Sequence, residues 1–347
     1  MSKTSQKNRF LEKIKNFLDE RLGLPIFRYK IPASANTFGY ALGAITAISL
    51  IIMGITGAIL GVFYVPTADA ANTSVAQITA NPLLRFVRGL HWWTSLLIPL
   101  LILLHATRIV VTGSYKRPRE LNWVIGFLLF LSVLGSIYSG TILKWDQEGL
   151  EALEHAVEIG VKLGMLPNLT ISSLLLPQIF LIHVSILPIL LIILFGAHAL
   201  LIRIHGISEP PFSQKTGKND RQLTFLDHLK YASIYGLGFL AIVSGLAVAF
   251  PRKALPPPIE DIEVTVPPWM FLPFYPFENA FGIIALIIFP GIIAILFILV
   301  PFFDRDPKRD PRKGRQLWVF IFMLVILVGI VILNVLAAVV PPEEHFR

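Results

Sequence analysis

The chain has no cysteine in its 347 residues. It can therefore form no disulfide, no thiolate-bound zinc or iron-sulfur centre, and no thioether link to a prosthetic group. Any metal chemistry must rest on His, carboxylate or Met. Charge is also scarce, at 15% of residues against 54% hydrophobic, where soluble domains carry about a quarter charged residues. The deficit is gathered into separate apolar stretches of about 20 residues each, the length a helix needs to cross a bilayer core. A soluble globular domain is excluded, and a polytopic helical membrane protein is expected. The net charge of +8 is read as a report of membrane orientation, with no nucleic-acid partner implied.

Apolar runs broken by charge or proline predict seven spans: Phe38 to Tyr64 (A), Leu90 to Val111 (B), Trp123 to Leu143 (C), Leu174 to Ile202 (D), Leu229 to Phe250 (E), Phe281 to Phe303 (F) and Leu317 to Val340 (G). Before them, Phe10 to Phe27 mixes apolar and charged residues too evenly to span, and is expected as an amphipathic helix on the membrane surface. No cleaved signal peptide is expected. Three loops share a side with the Lys-rich N-terminus and are basic: Lys116, Arg117 and Arg119 between B and C; Lys215, Lys218 and Arg221 between D and E; and Arg305, Lys308, Arg309, Arg312, Lys313 and Arg315 between F and G. The other loops carry acids: Asp69; Glu148, Glu151, Glu154 and Glu158; Glu260, Asp261 and Glu263. The positive-inside rule makes the basic side cytoplasmic, here the n side. The acidic side is the p side, where the C-terminus is expected.

Four of the eight histidines fall inside spans: His91 and His105 in B, His183 and His198 in D. His155, His205, His228 and His345 fall in loops or at span ends. The pair in B is separated by about four turns, which places both on one face, ~21 Å apart along the axis. The pair in D is one residue wider, and Pro188 between them can shift the local winding. B and D run in the same direction, so His91 is level with His183 and His105 with His198. Two facing imidazoles hold a low-spin haem iron without cysteine, and two such haems stacked across a bilayer make an electron path. Arg88 and Arg108 flank the pairs and can reach haem propionates, although snorkelling at span ends accounts for them equally. Gly43 and Gly57 in A, and Gly126 and Gly140 in C, repeat the 14-residue spacing. They would let a flat macrocycle approach the backbone, or serve ordinary helix packing.

Taken with the strings Arg88-Gly-Leu-His91, His105-Ala-Thr-Arg108, Lys116-Arg-Pro-Arg-Glu-Leu-Asn-Trp123, Trp145-Asp-Gln147 and Arg203-Ile-His-Gly-Ile-Ser-Glu-Pro210, this pattern resembles the cytochrome b subunit of quinol-oxidising bc and b6f complexes. It is closest to a cytochrome b6 fused to subunit IV. The resemblance implies an all-α membrane protein with seven transmembrane helices, a four-helix di-haem bundle followed by three helices. It divides the chain into a surface segment (1–36), a b6-like domain (37–210) and a subunit IV-like domain (211–347). It further implies two b-type haems, a quinone, a Rieske iron-sulfur protein and a c-type cytochrome or other redox subunit as partners, and a homodimeric core in lipid. A prokaryotic cytoplasmic membrane is the implied location.

Two departures from the family pattern bear on function. The cysteine that attaches an extra haem in b6f is replaced at the corresponding position by Ala41, so no thioether-linked haem is expected on this chain. Arg203 matches a position near that haem and the n-side quinone. The p-side motif Pro-Glu-Trp-Tyr, whose acid takes a proton from quinol, reads Pro267-Pro268-Trp269-Met270 here. Asp146, Glu148 and Glu278 are candidate replacement proton acceptors, each also readable as a solvated loop acid. At the n side, Arg203, His205, Asp227 and His228 form a candidate quinone site. The leading expectation is quinol oxidoreduction coupled to proton translocation. A non-bifurcating membrane anchor for another redox module is the alternative, with a haem-free transporter or a noncatalytic scaffold behind it.

Overall fold

A computed structural model of the chain describes residues 3–23, 25, 28–32, 36–165, 175–208, 223–260, 262–339 and 345–346. Lys215, Lys218, Arg221 and Asp261, together with Leu174, Pro210 and Val340, lie outside the described residues. In chain order the helices are α1 (Lys3–Leu22), α2 (Phe38–Phe63), α3 (Ala71–Ala80), α4 (Pro82–Val111), α5 (Glu120–Ile142), α6 (Gln147–Lys162), α7 (Leu175–Leu181), α8 (Leu187–His205), α9 (Phe225–Ala249), α10 (Tyr275–Phe281), α11 (Ala285–Phe303) and α12 (Gly314–Val339). A π-turn at Ile182–Ile186 joins α7 to α8, making one continuous span, Leu175–His205. Among the described residues, seven helices are long and apolar enough to cross a membrane. They coincide with spans A to G, and the chain is an all-α membrane protein.

Several boundaries move, each for a local reason. Helix α4 begins well before Leu90 because Asn81 caps it, its Oδ1 accepting from the backbone N–H of Leu83 (2.9 Å) and Leu84 (3.1 Å), with Pro82 at the first helical position. Helix α9 starts at Phe225 through a capping box between Thr224 and Asp227. Phe281 belongs to α10, because Gly282 at φ +76° breaks the chain before α11. Three segments expected wholly or mostly as loops are helical, α3, α6 and α10. In α6 the acids hid an apolar stripe, Leu150, Leu153 and Val157, which is buried against Ile142, Trp145 and Leu176.

Helix α2 packs along α4, and α5 along α8; α9 lies against both α2 and α4, α11 against α5, and α12 against α4. Between lipid-embedded helices the driving force is close packing rather than expulsion of water. Small residues accordingly occupy the crossings: a Cβ on Gly89 would come within 2.9 Å of Ala247 Cβ. The opposite surfaces are apolar and open, as at Ile192 and Ile193 on α8.

Hydrogen bonds between loops sort the connections onto two faces. On one, Asn72 donates to the carbonyls of Trp145 (3.0 Å) and Leu255 (3.1 Å), and Gln147 Oε1 accepts from Ile259 N–H (2.8 Å). Glu151 accepts from the backbone N–H groups of Val264 (2.9 Å) and Thr265 (3.1 Å). On the other face, Lys116 donates to the Lys308 carbonyl (2.6 Å) and ion-pairs with buried Asp304 (3.0 Å), while Tyr115 donates to Asp304 (2.6 Å). Arg119 donates there to the His205 carbonyl (2.9 Å). These are the acidic and basic faces expected from charge. Short antiparallel strands tie two of the ends: Lys30–Ile31 with Leu223–Thr224, and Ile262–Glu263 with His345–Phe346.

Candidate functional site: two facing histidine pairs

His91 on α4 faces His183 in the π-turn, with ring centroids 6.4 Å apart and planes at 70°. His105 and His198 face one another toward the basic face, within electrostatic reach. Each imidazole edge rests on a glycine of the neighbouring helix. A Cβ built on Gly57 would lie 3.1 Å from His91 Cε1, on Gly43 2.9 Å from His105 Cε1, on Gly140 2.9 Å from His183 Cε1, and on Gly126 3.3 Å from His198 Cε1. The protein group nearest each of the four glycines is thus a histidine.

This seating explains the unequal spacings. Gly126 and Gly140 lie on α5, a regular α-helix, while their partners on the facing span are one residue further apart. The π-turn at Ile182–Ile186 takes up that residue, just ahead of Pro188, whose missing N–H leaves the α-ladder incomplete there.

The acidic-face pair also has its tautomers fixed. Thr56 Oγ1 lies 2.9 Å from His91 Nδ1, and Ser139 Oγ 3.0 Å from His183 Nδ1. Each hydroxyl donates its own proton to a helix carbonyl, Thr56 to Ile52 (2.6 Å) and Ser139 to Gly135 (2.8 Å). Only a lone pair remains for the ring, so Nδ1 carries the hydrogen and Nε2 is the bare, ligand-competent nitrogen. His105 Nδ1 is buried with no hydrogen-bond partner among the described residues, and His198 Nδ1 likewise, with the Asn122 backbone alongside.

A cavity between His91 and His183 is lined by Gly57, Gly61, Gly140, Arg88, Lys144, Glu148 and Pro268, among others. The ring separation accommodates a metal held by one nitrogen from each side at about 2.0–2.1 Å. Among the described residues no group of three or more His, Asp or Glu converges. A bare ion would therefore lack ligands, whereas a macrocycle brings four of its own, and the donor set suits haem. Arg88 lines the cavity but donates to the Arg252 carbonyl (2.9 Å), and Arg108 sits over the Tyr40 ring (4.2 Å) with Nε donating to the Gly39 carbonyl (3.3 Å). Both are held by protein groups.

Of the three acids singled out by sequence, Asp146 and Glu148 share Lys144 and Glu278 stands apart. Asp146 caps α6 by accepting from Gly149 N–H (3.1 Å), and Glu148 ion-pairs with Lys144 at the cavity edge. Glu278 pairs with His155 Nε2 (3.2 Å). His155, assigned to a loop from sequence, is buried on the inner face of α6. Pro268 lines the cavity, and Trp269 is anchored by donation to the Leu96 carbonyl (3.0 Å).

Of the basic-face group, Arg203 and His228 are joined by a stack: the Arg203 guanidinium lies over Tyr29 (4.4 Å), Tyr29 over Phe225 (5.0 Å), and Phe225 against His228 (6.0 Å). Burial pushes the Tyr29 hydroxyl above its usual range, with Arg203 pulling the other way. His228 Nδ1 lies 3.2 Å from Asn36 Oδ1. The Asp227 carboxylate is taken up by the capping box, and His205 is tied in by its carbonyl rather than its ring.

A multi-pass helical protein that levels two histidine pairs across its first four spans, without cysteine, is built as a membrane electron carrier. Two family models divide the chain: Cytochrome b(N-terminal)/b6/petB over residues 96–257 and Cytochrome b(C-terminal)/b6/petD over residues 258–346. Cytochrome b6 of Heliobacterium mobile is 34% identical over 213 residues, 56% of this chain and 99% of that protein. The menaquinol:cytochrome c reductase cytochrome b subunit of Bacillus subtilis (strain 168) is 34% identical over 223 residues, 58% and 99%. A solved structure, hyperthermophilic respiratory Complex III, superposes with a TM-score of 0.77 at 23% identity, over 94% of this chain and 92% of that one. The chain belongs to the cytochrome b/b6 family, with the b6 and subunit IV portions fused in one polypeptide. Membership brings b-type haem, quinone and electron transport.

Proposed function

We infer that the chain is the di-haem cytochrome b subunit of a quinol-oxidising complex and carries electrons between a p-side and an n-side quinone site, coupled to proton translocation. The observation that carries this reading is the seating of four imidazoles on four glycines as two level pairs. His91 with His183, and His105 with His198, would each hold one haem. When bound, the haems supply reversible one-electron transfer across the bilayer. The protein's part is to fix the ring orientations through glycine, Thr56 and Ser139.

The acidic face is taken as the p side and the basic face as the cytoplasmic n side of a prokaryotic cytoplasmic membrane. Quinol oxidation belongs at the cavity mouth around Pro268, Trp269 and Glu148, and quinone reduction beside Arg203 and His228. A Rieske iron-sulfur protein and a c-type cytochrome or equivalent would complete the high-potential branch, around a homodimeric core. A second reading, a non-bifurcating cytochrome b anchor, is favoured by Pro268 standing where the motif acid is expected.

The test is a redox-titrated absorption spectrum of the complex with an added quinol. Two b-type components, with reduction enhanced by an oxidant when the n side is blocked, are expected. Reduction through the n side alone would establish the anchor reading, and absence of haem would overturn both.

A further inference from the structure

We propose that His155 and Glu278 form the proton-accepting pair of the p-side quinol site, replacing the acid missing at Pro268; this rests on reading that face as a quinol-oxidising site. His155 Nδ1 lies 2.8 Å from the Glu151 carbonyl oxygen. A carbonyl only accepts, so Nδ1 bears the hydrogen and the neutral ring turns a lone pair at Nε2 toward Glu278 Oε1, 3.2 Å away. At that distance the two groups form an ion pair when the ring carries a second proton. The pair is thus a one-proton site that exists in proton-poor and proton-loaded forms. Glu278 Oε2 is buried and makes no hydrogen bond among the described residues. Native proteins seldom leave such an atom unpaired, and a hydroxyl donor such as a quinol would satisfy it.

The position fits. Glu278 lies on α10, just beyond the Pro267–Pro273 segment, and the Tyr275 ring stacks on His155 at 6.0 Å. Tyr138 donates to the Ala152 carbonyl of α6 (2.5 Å) and packs edge-on against Phe271 (5.8 Å). Its neighbours Ile137 and Thr141 wall the histidine cavity together with Pro268. The other acids here are committed elsewhere. Asp146 caps α6, Glu148 holds Lys144 with Arg252 nearby (3.9 Å), Glu151 binds loop N–H groups, and Glu158 pairs with Lys162 (2.7 Å). Glu154 shares α6, and the Tyr138 and Tyr275 hydroxyls complete the titratable surroundings. Glu278 faces an imidazole.

The step is a proton transfer. A quinol O–H bond breaks, its proton forms a bond to Glu278 Oε2, passes to His155 Nε2, and leaves to p-side water. No electron passes through the pair; the quinol's two electrons go to one-electron oxidants of the iron-sulfur and b-haem classes, and its other proton leaves with the electron taken by the iron-sulfur oxidant.

The test uses the whole complex in membranes, a short-chain naphthoquinol as donor, ferricyanide as oxidant, and a quinone-analogue inhibitor at the n side. Wild type that shows no oxidant-induced haem reduction would sink the p-side reading itself. Where wild type shows it, Glu278→Gln and His155→Gln should each slow it by about 10²–10⁴-fold, with haem spectrum and n-side reduction rate unchanged. Glu278→Asp should restore part of the rate with a displaced pH profile. Infrared difference spectra should lose a carboxyl C=O band in Glu278→Gln. Wild-type rate and pH profile in Glu278→Gln would overturn the pair. If that variant loses haem, His155→Gln and Glu278→Asp decide by the same criteria.

Discussion

The two histidine pairs share a seat but not a second contact. At the acidic face each ring has both a glycine beneath it and a hydroxyl at Nδ1, from Thr56 and Ser139. At the basic face the glycines remain, and His105 Nδ1 has no such partner among the described residues. Ligand geometry at the acidic face is fixed by both packing and hydroxyls, whereas at the basic face no hydroxyl reaches His105 Nδ1 among the described residues. A hydrogen bond at the non-ligating nitrogen raises ligand basicity, so the two sites are expected to hold haem with different affinity and potential.

The strongest test of independence removes the ligands. His91→Ala or His183→Ala should abolish the acidic-face haem and spare the other, with His105→Ala and His198→Ala doing the reverse; resolved b-band spectra read both. Equal haem content across the four variants would overturn the pairing. Next in size is the glycine seat. Gly43→Ala and Gly140→Ala, where the new Cβ would meet an imidazole at 2.9 Å, should cost about 1–3 kcal/mol through overpacking and lower haem occupancy at their own site. Gly126→Ala, at 3.3 Å, should cost less, which thermal loss of the b-band would rank.

The hydroxyls sharpen the contrast between faces. Thr56→Val and Ser139→Ala should weaken haem retention at the acidic face by about 10–100-fold and shift its potential, leaving the basic-face component in place in a redox titration. Smallest is the cap: Thr224→Ala should destabilise the start of α9 by about 1 kcal/mol, seen as a small fall in melting temperature with both haem bands intact.

The seven spans were legible because lipid demands long apolar runs, and the four facing histidines because a polar ring inside such a run stands out. The proline-linked shift in D was legible in outline, and the π-turn gives its form. What sequence concealed was amphipathic. Helix α6 reads as a run of acids, since its buried stripe is interrupted by Glu148, Glu151, Glu154 and Glu158, and loop N–H groups that satisfy Glu151 come from far along the chain. His155 was lost with it, although Leu150, Leu153 and Val157 at helical spacing after the Asp146 cap carried the signal. The Asn81–Pro82 cap was equally present and marked the true start of α4. Tertiary partners such as Arg252 for Arg88, or Glu278 for His155, have no local signature at all.

The π-turn at Ile182–Ile186 separates two measures that usually coincide. Residue number records how much chain lies between two ligands, while helical phase records which way they point. One extra residue changed the first and was absorbed before it reached the second. A lineage can therefore gain or lose a residue between the ligands of this span without dismantling either site, provided that the change falls where the ladder is already open. Heritable length variation in this protein is expected to collect at that turn, and to be absent from the regular helix that faces it.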